Sequence, residues 1–260
     1  MRRLIIVGRD ALTRGKLEPA PRFQFVGPPG TGKTETARFF AEVMYAVGTL
    51  RSPTIKVVSL QDFTGNFKGD SQVKTSQLFN QARESVLFVD EAYRLAQSPD
   101  GRDALHQIVE HLTKKEFDNV SVIFAGYPDE MRELIKVNPG LKSRLPHVIQ
   151  FTRPPVSVLV DIARTELNSA YDLYFNPNHA QNLEDTLSRI IAQKVADETF
   201  GASRGAKNLA KEIRGRVLLR SGEYVELEDL PQLRRQLDIP TLKQSFEEQF
   251  IGQDELFQQT

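Results

Sequence analysis

The sequence predicts an α/β fold, a doubly wound five-stranded parallel sheet sandwiched by helices and followed by a small all-helical unit. Three features of its 260 residues carry that expectation. Short apolar runs alternate with amphipathic helical stretches through the first half. The runs are continuous rather than alternating, so their strands are covered on both faces. Strand-like runs then stop at a pair of prolines, and only helical periodicity follows.

The first run, residues 23–26, ends in a glycine-rich turn, after which Ala37, Phe40, Ala41, Met44 and Val47 recur at helical spacing. Residues 55–59, 86–89 and 120–125 are further runs of strand length, and 147–151 is a weaker one. Leu105, Ile108, Val109 and Leu112 form one face of a helix between the third and fourth runs. Arg153-Pro154-Pro155 marks a boundary, dividing an α/β part (1–153) from a helical part (154–237). In the latter, Leu159, Ala163 and Leu167, then Leu183, Leu187, Ile190, Ile191 and Val195, then Leu209, Ile213 and Val217 mark three helices. Residues 238–260 are polar and helix-prone and read as a linker or arm.

Composition sets the limits. The length is near the upper edge of one hydrophobic core, and 40% apolar with 26% charged residues is ordinary for a folded chain. Lysine plus arginine number 34, as do aspartate plus glutamate, so net charge draws the chain to neither nucleic acid nor anionic lipid. With no cysteine there is no disulfide framework, thiolate metal site or cysteine nucleophile, and a reducing, cytoplasmic setting is expected. The apolar runs fall far short of the ~20 residues that span a bilayer, and the opening MRRLIIVGRD is too quickly charged for a signal peptide.

The turn after the first run reads Gly27-Pro28-Pro29-Gly30-Thr31-Gly32-Lys33-Thr34 and satisfies G-x-x-x-x-G-K-[ST] between a strand and a helix. Its glycines let backbone N–H groups turn around phosphate oxygens, beside the positive end of the following helix. Lys33 is placed to bridge β- and γ-phosphates, Thr34 to ligate Mg²⁺, and Glu35 belongs to the same nucleotide-contacting stretch. The third run delivers Asp90 and Glu91 at its carboxyl end, where open parallel sheets hold ligands. Asp90 then serves the Mg²⁺ and Glu91 polarises the attacking water, unless the pair only caps a helix N-terminus. Together the two elements point to a nucleotide hydrolase.

The strings GPPGTGKT, LFVDEAYRLA, VIFAGYPDEM and NPGLKSR, in this order across residues 20–220, resemble the AAA+ ATPases of the CbbX-like group, which includes red-type rubisco activase and stage V sporulation protein K. The resemblance implies a P-loop NTPase α/β subdomain, a helical lid, ATP with Mg²⁺ between them, and a ring, commonly a hexamer. It places Arg144 as an arginine finger acting on the neighbouring subunit's γ-phosphate, Arg204 at the sensor-2 position, and Tyr127 at the sensor-1 position. It places Phe67 and Lys68 in a substrate-gripping pore loop between Gly65 and Gly69. On residue chemistry alone, Arg144 and Arg204 also fit solvated helix arginines, Tyr127 a packing residue, and Phe67 the core; Phe63 is assigned to the core. Residues 246–256 resemble the linker that precedes an AAA+ large subdomain, which suggests one module of a tandem array, or else a C-terminal helix that folds back.

His106 and His111, five apart on a helix, are poorly aligned for a metal and read as structural or surface residues. The expected function is an ATPase that remodels a protein or complex, alone in a homo-oligomeric ring or beside like modules of a longer chain. The alternative is an assembly or scaffold module whose hydrolysis is slow. Helicase or clamp-loader action ranks last, because FAGYPDEM and NPGLKSR do not match helicases and no basic stripe is evident.

Overall fold

The structure is a computed structural model that describes residues 19–65, 67, 69–197, 200–220, 222 and 224–231. The expectations for the opening segment, for Lys68 and for the arm at 238–260 lie outside the described residues. The chain divides into two compact units, 1–155 with 201–205, and 156–200 with 206–260.

The first unit holds a five-stranded sheet of β1 (Phe23–Val26), β2 (Ile55–Val58), β3 (Val86–Val89), β4 (Ser121–Gly126) and β5 (His147–Gln150), in the order β2-β3-β4-β1-β5. Every ladder is parallel, with Val26 paired to Gly126 and Val89 to Phe124. The continuous apolar runs are explained by the two cores. Phe88, Ile123, Phe23 and Phe25 point to a face covered by α1 (Lys33–Ala46), through Ala37, Phe40, Ala41 and Met44. The intervening Leu87, Val89, Val122 and Phe124 point to the other face. There they meet α2 (Leu60–Phe63), α3 (Asp70–Gln81), α4 (Pro99–His111), α5 (Pro128–Val137) and α6 (Gly140–Arg144). Burying one large apolar side chain contributes ~1.5–3 kcal/mol, so the six named residues of β3 and β4 that alternate between these faces anchor the sheet's middle.

The second unit contains α7 (Val156–Tyr171), α8 (Ala180–Val195) and most of α9 (Ala202–Leu219). Leu159, Ala163 and Leu167 of α7, Leu183, Leu187, Ile190 and Ile191 of α8, and Leu209, Ile213 and Val217 of α9 are buried, which is the helical spacing read from the sequence. The structure adds a two-residue parallel ladder, β6 (Tyr174–Phe175) with β7 (Tyr224–Val225), that periodicity is too short to register. Nearby, buried Asp229 accepts from the Arg220 guanidinium at 2.8 Å and holds it above the ordinary arginine range.

Candidate functional site

Because the strands are parallel, their carboxyl ends share one edge of the sheet, and three adjacent central strands deliver the site there. Gly27 follows β1, Tyr127 follows β4, and Asp90 follows β3. The backbone N–H of Gly27 donates to the Gly126 carbonyl at 3.1 Å, and that of Asp90 to the Val58 carbonyl at 2.8 Å, so each loop is pinned as it leaves the sheet.

The turn into α1 has to be glycine. Gly30 (φ 69°) and Gly32 (φ 88°) occupy left-handed backbone that other residues rarely adopt. A side chain on Gly27 would collide with the backbone of Phe151, and one on Gly30 with the backbone of Gly201. Gly30 also accepts a 2.8 Å hydrogen bond from the Ser203 N–H, and Thr31 Oγ1 donates to the Pro28 carbonyl at 2.9 Å.

Inside this turn Lys33 Nζ donates to the carbonyls of Gly27 (2.8 Å) and Pro28 (2.9 Å). Burial pushes its ammonium below the ordinary lysine range, while Asp90 and Glu91 oppose that shift. The carboxylates that end β3 therefore lie within electrostatic reach of the lysine that opens α1. Lys33 Nζ also lies 5.6 Å from the Tyr127 ring centroid, and Tyr127 stacks on Tyr93 with centroids 5.6 Å apart. Burial, then Tyr93, Glu91 and Asp90, raise the Tyr127 hydroxyl above the usual tyrosine range. Tyr127 thus faces the site from between the phosphate turn and the acid pair, which neither its sequence position nor its residue type settles.

Asp90 and Glu91 are partly buried, and Glu91 sits in left-handed backbone at φ 47°, a conformation that costs a non-glycine residue about 1 kcal/mol or more. It caps a 3₁₀ turn, Ala92–Ala96, and its Oε2 meets Arg94 Nη2 at 2.5 Å. The sequence reading missed Arg94 and Tyr93. The signal was present as an acid and a base three apart, which eclipse in a 3₁₀ turn.

Thr34 lies partly buried in the first turn of α1, where Glu35 is exposed, as is Pro29 in the turn before it. Arg204 is exposed in the first turn of α9, within the 201–205 segment that groups with the α/β unit. Arg144 ends α6 just before β5, whose His147 pairs with Phe23 at the start of β1. It therefore lies at the opposite edge from Lys33, separated by four-residue strands, about 13 Å. There its Nη1 donates to the Gly140 carbonyl at 2.9 Å, and its Nε is buried without a partner. Arg22, which the sequence reading did not single out, is a second largely buried arginine at that edge; it donates to the Leu112 carbonyl at 2.7 Å and lies 3.5 Å from Asp118.

Phe67 is 79% exposed, while Phe63 is fully buried. The Phe67 N–H donates to Asp70 Oδ2 at 3.0 Å, which closes the loop that presents its ring. His106 is exposed and His111 buried, the latter meeting Ser76 Oγ at 2.9 Å and the Gln107 carbonyl at 2.7 Å. Among the described residues no three histidines, cysteines or carboxylates cluster as a metal site, and no helix is long and apolar enough to cross a membrane.

A turn with glycines at its left-handed positions, a partly buried ammonium, a threonine hydroxyl and a carboxylate pair form a donor set suited to a triphosphate and its magnesium. Residues 23–153 match the family model described as "ATPase family associated with various cellular activities (AAA)".

The chain belongs to the AAA ATPase family.

Among the sequence relatives of this AAA protein is Protein CfxQ of Xanthobacter flavus, of the CbbX-like group. It is 32% identical over 230 residues, which cover 86% of this chain and 71% of that protein. The ESX-1 secretion system protein EccA1 of Mycobacterium tuberculosis is 32% identical over 226 residues, 84% of this chain but only 39% of that protein. In fold, the AAA protein is similar to the Thermotoga maritima RuvB Holliday junction branch migration motor, with TM-score 0.63 at 19% identity over 88% of this chain and 65% of that one. Proteins of this family bind nucleotide with Mg²⁺ and commonly form rings.

Proposed function

We propose that the chain is an ATP-hydrolysing AAA+ module that turns phosphate-bond cleavage into movement of the loop carrying Phe67, and so remodels a protein or complex engaged in the pore of a ring. The observation that carries this reading is the convergence of Lys33 with Asp90 and Glu91 at one sheet edge, with Tyr127 between them.

In this reading the backbone N–H groups of 27–32 and the Lys33 ammonium hold the phosphates, and Thr34 and Asp90 hold magnesium. Magnesium-bound ATP supplies the transferable phosphoryl group, its charge neutralised by the metal. Glu91 orients water and accepts its proton. Tyr127 fixes the direction of Lys33 through its ring face, and the Arg204 cation lies on the segment that carries Ser203 to Gly30. Arg144 acts in trans, since its edge of the sheet keeps it from Lys33 of its own chain. Its planar, permanent charge suits a phosphoryl group in transfer. The neutral charge balance favours a protein client over nucleic acid, and the cysteine-free sequence a reducing, cytoplasmic setting.

One observation favours a second reading, an assembly module with slow hydrolysis: Glu91 is engaged by Arg94 rather than free to act on water. Particle size and ATPase rate, measured together against protein concentration with and without ATP, separate the two. A motor gains activity per chain as it assembles, whereas a scaffold assembles on ATP with little turnover.

A further inference from the structure

Glu91 has two cationic neighbours. Lys33, across the site, belongs to the phosphate turn, and Arg94 belongs to the 3₁₀ turn that Glu91 itself caps. The geometry of that turn favours the second pairing. The Arg94 N–H donates to the Glu91 carbonyl at 2.9 Å, and residues three apart eclipse in a 3₁₀ turn, so the two side chains rise from one face. Their charged ends meet at 2.5 Å with about half of the Arg94 side chain open to solvent. Tyr93 first and Glu91 second hold the Arg94 guanidinium above the ordinary arginine range. Tyr93 in turn stacks on Tyr127, whose ring faces Lys33. Ring contacts therefore run from Lys33 of the phosphate turn through Tyr127 to Tyr93, the residue that precedes Arg94.

We propose that Arg94 is a positioning residue that restrains Glu91, drawing its carboxylate onto the guanidinium and away from the water that it must polarise. This rests on the reading of Glu91 as the base and adds a brake to it. A carboxylate oxygen committed to a charge-assisted hydrogen bond has less of its lone-pair capacity for a water proton. The pair is also exposed, and pairs of that kind are weak, so the restraint is one that assembly or a bound partner can release.

The test is steady-state ATPase kinetics of the full chain at one protein concentration, with thermal unfolding read on the same samples. Arg94→Ala raises kcat about two- to fivefold with KM unchanged, the size expected for release of one exposed ion pair. Arg94→Lys keeps a cation beside Glu91 and stays near wild type. Should the alanine variant prove unstable, Arg94→Gln, which keeps length but not charge, gives the same rise. Combined with Glu91→Gln, Arg94→Ala adds nothing, because there is no carboxylate left to release.

A kcat at or below wild type in the Arg94 variants, with Glu91→Gln still slow, overturns the restraint and leaves the role of Glu91 standing. So does a rise that persists in the double variant. Wild-type turnover by Glu91→Gln overturns the reading of Glu91 instead, and the restraint with it.

Discussion

The Lys33 ammonium lies 5.6 Å from the centroid of the Tyr127 ring while it donates to the carbonyls of Gly27 and Pro28. An aromatic face therefore stands at the position where the resemblance puts sensor 1. Tyr127→Phe preserves the ring and is expected to keep ATP affinity within about threefold of wild type. Tyr127→Ala removes both the cation–π partner and the stack on Tyr93, and affinity falls about three- to thirtyfold, the range for a partly desolvated cation–π contact. Titration with a fluorescent ATP analogue reads both; equal affinity in all three proteins contradicts a role for the ring.

Arg144 shares no edge of the sheet with Lys33. Arg144→Ala should therefore bind ATP as wild type does, hydrolyse it at the unassembled rate, and lose at least ~10³-fold only in the assembled form, the scale of an arginine finger. ATPase rate against protein concentration checks this. A variant as active as wild type at every concentration contradicts action in trans.

Phe67 is 79% exposed on a loop closed by Asp70, so its replacement costs no core packing. Phe67→Ala is expected to keep basal ATPase within about twofold and its melting temperature, since surface substitutions shift stability by only ~0.5 kcal/mol. Any client-stimulated activity is lost. A client that is still remodelled by this variant removes Phe67 from the gripping role.

His111 is 2% exposed and packs its ring against Phe79 and Phe117, with centroids 5.1 and 5.2 Å away. His111→Ala leaves a cavity and strips Ser76 Oγ of its partner, so urea unfolding should report a loss of ~2–4 kcal/mol. ATP affinity is unchanged, because the ring lies in the core rather than at the site. A variant as stable as wild type contradicts the structural role.

Much of this was legible in the sequence because the physics is local or periodic. The central strands announce themselves since β3 and β4 are buried on both faces and, Ser121 apart, carry no polar side chain, whereas β2 and β5 are largely exposed and are not covered on both faces as the sequence led one to expect. The phosphate turn is legible because Gly27, Gly30 and Gly32 each meet a constraint that only glycine satisfies. The helix Leu60–Phe63 and the ladder between Tyr174 and Tyr224 are too short to imprint a period. The burial of Arg22 depends on Asp118 and the Leu112 carbonyl, which are distant in sequence. The acid and base at 91 and 94 are visible in the sequence, but their pairing depends on the left-handed turn at Glu91, which composition does not specify.

The most direct test is phosphate release under saturating magnesium-ATP by wild type, Lys33→Ala and Glu91→Gln, with bound ATP measured in the same samples. Wild type is expected to bind and hydrolyse, Lys33→Ala to lose binding, and Glu91→Gln to retain ATP but turn it over at least ~10²-fold more slowly. Wild-type protein that fails to retain ATP at any magnesium concentration, or a Glu91→Gln variant as fast as wild type, would contradict this.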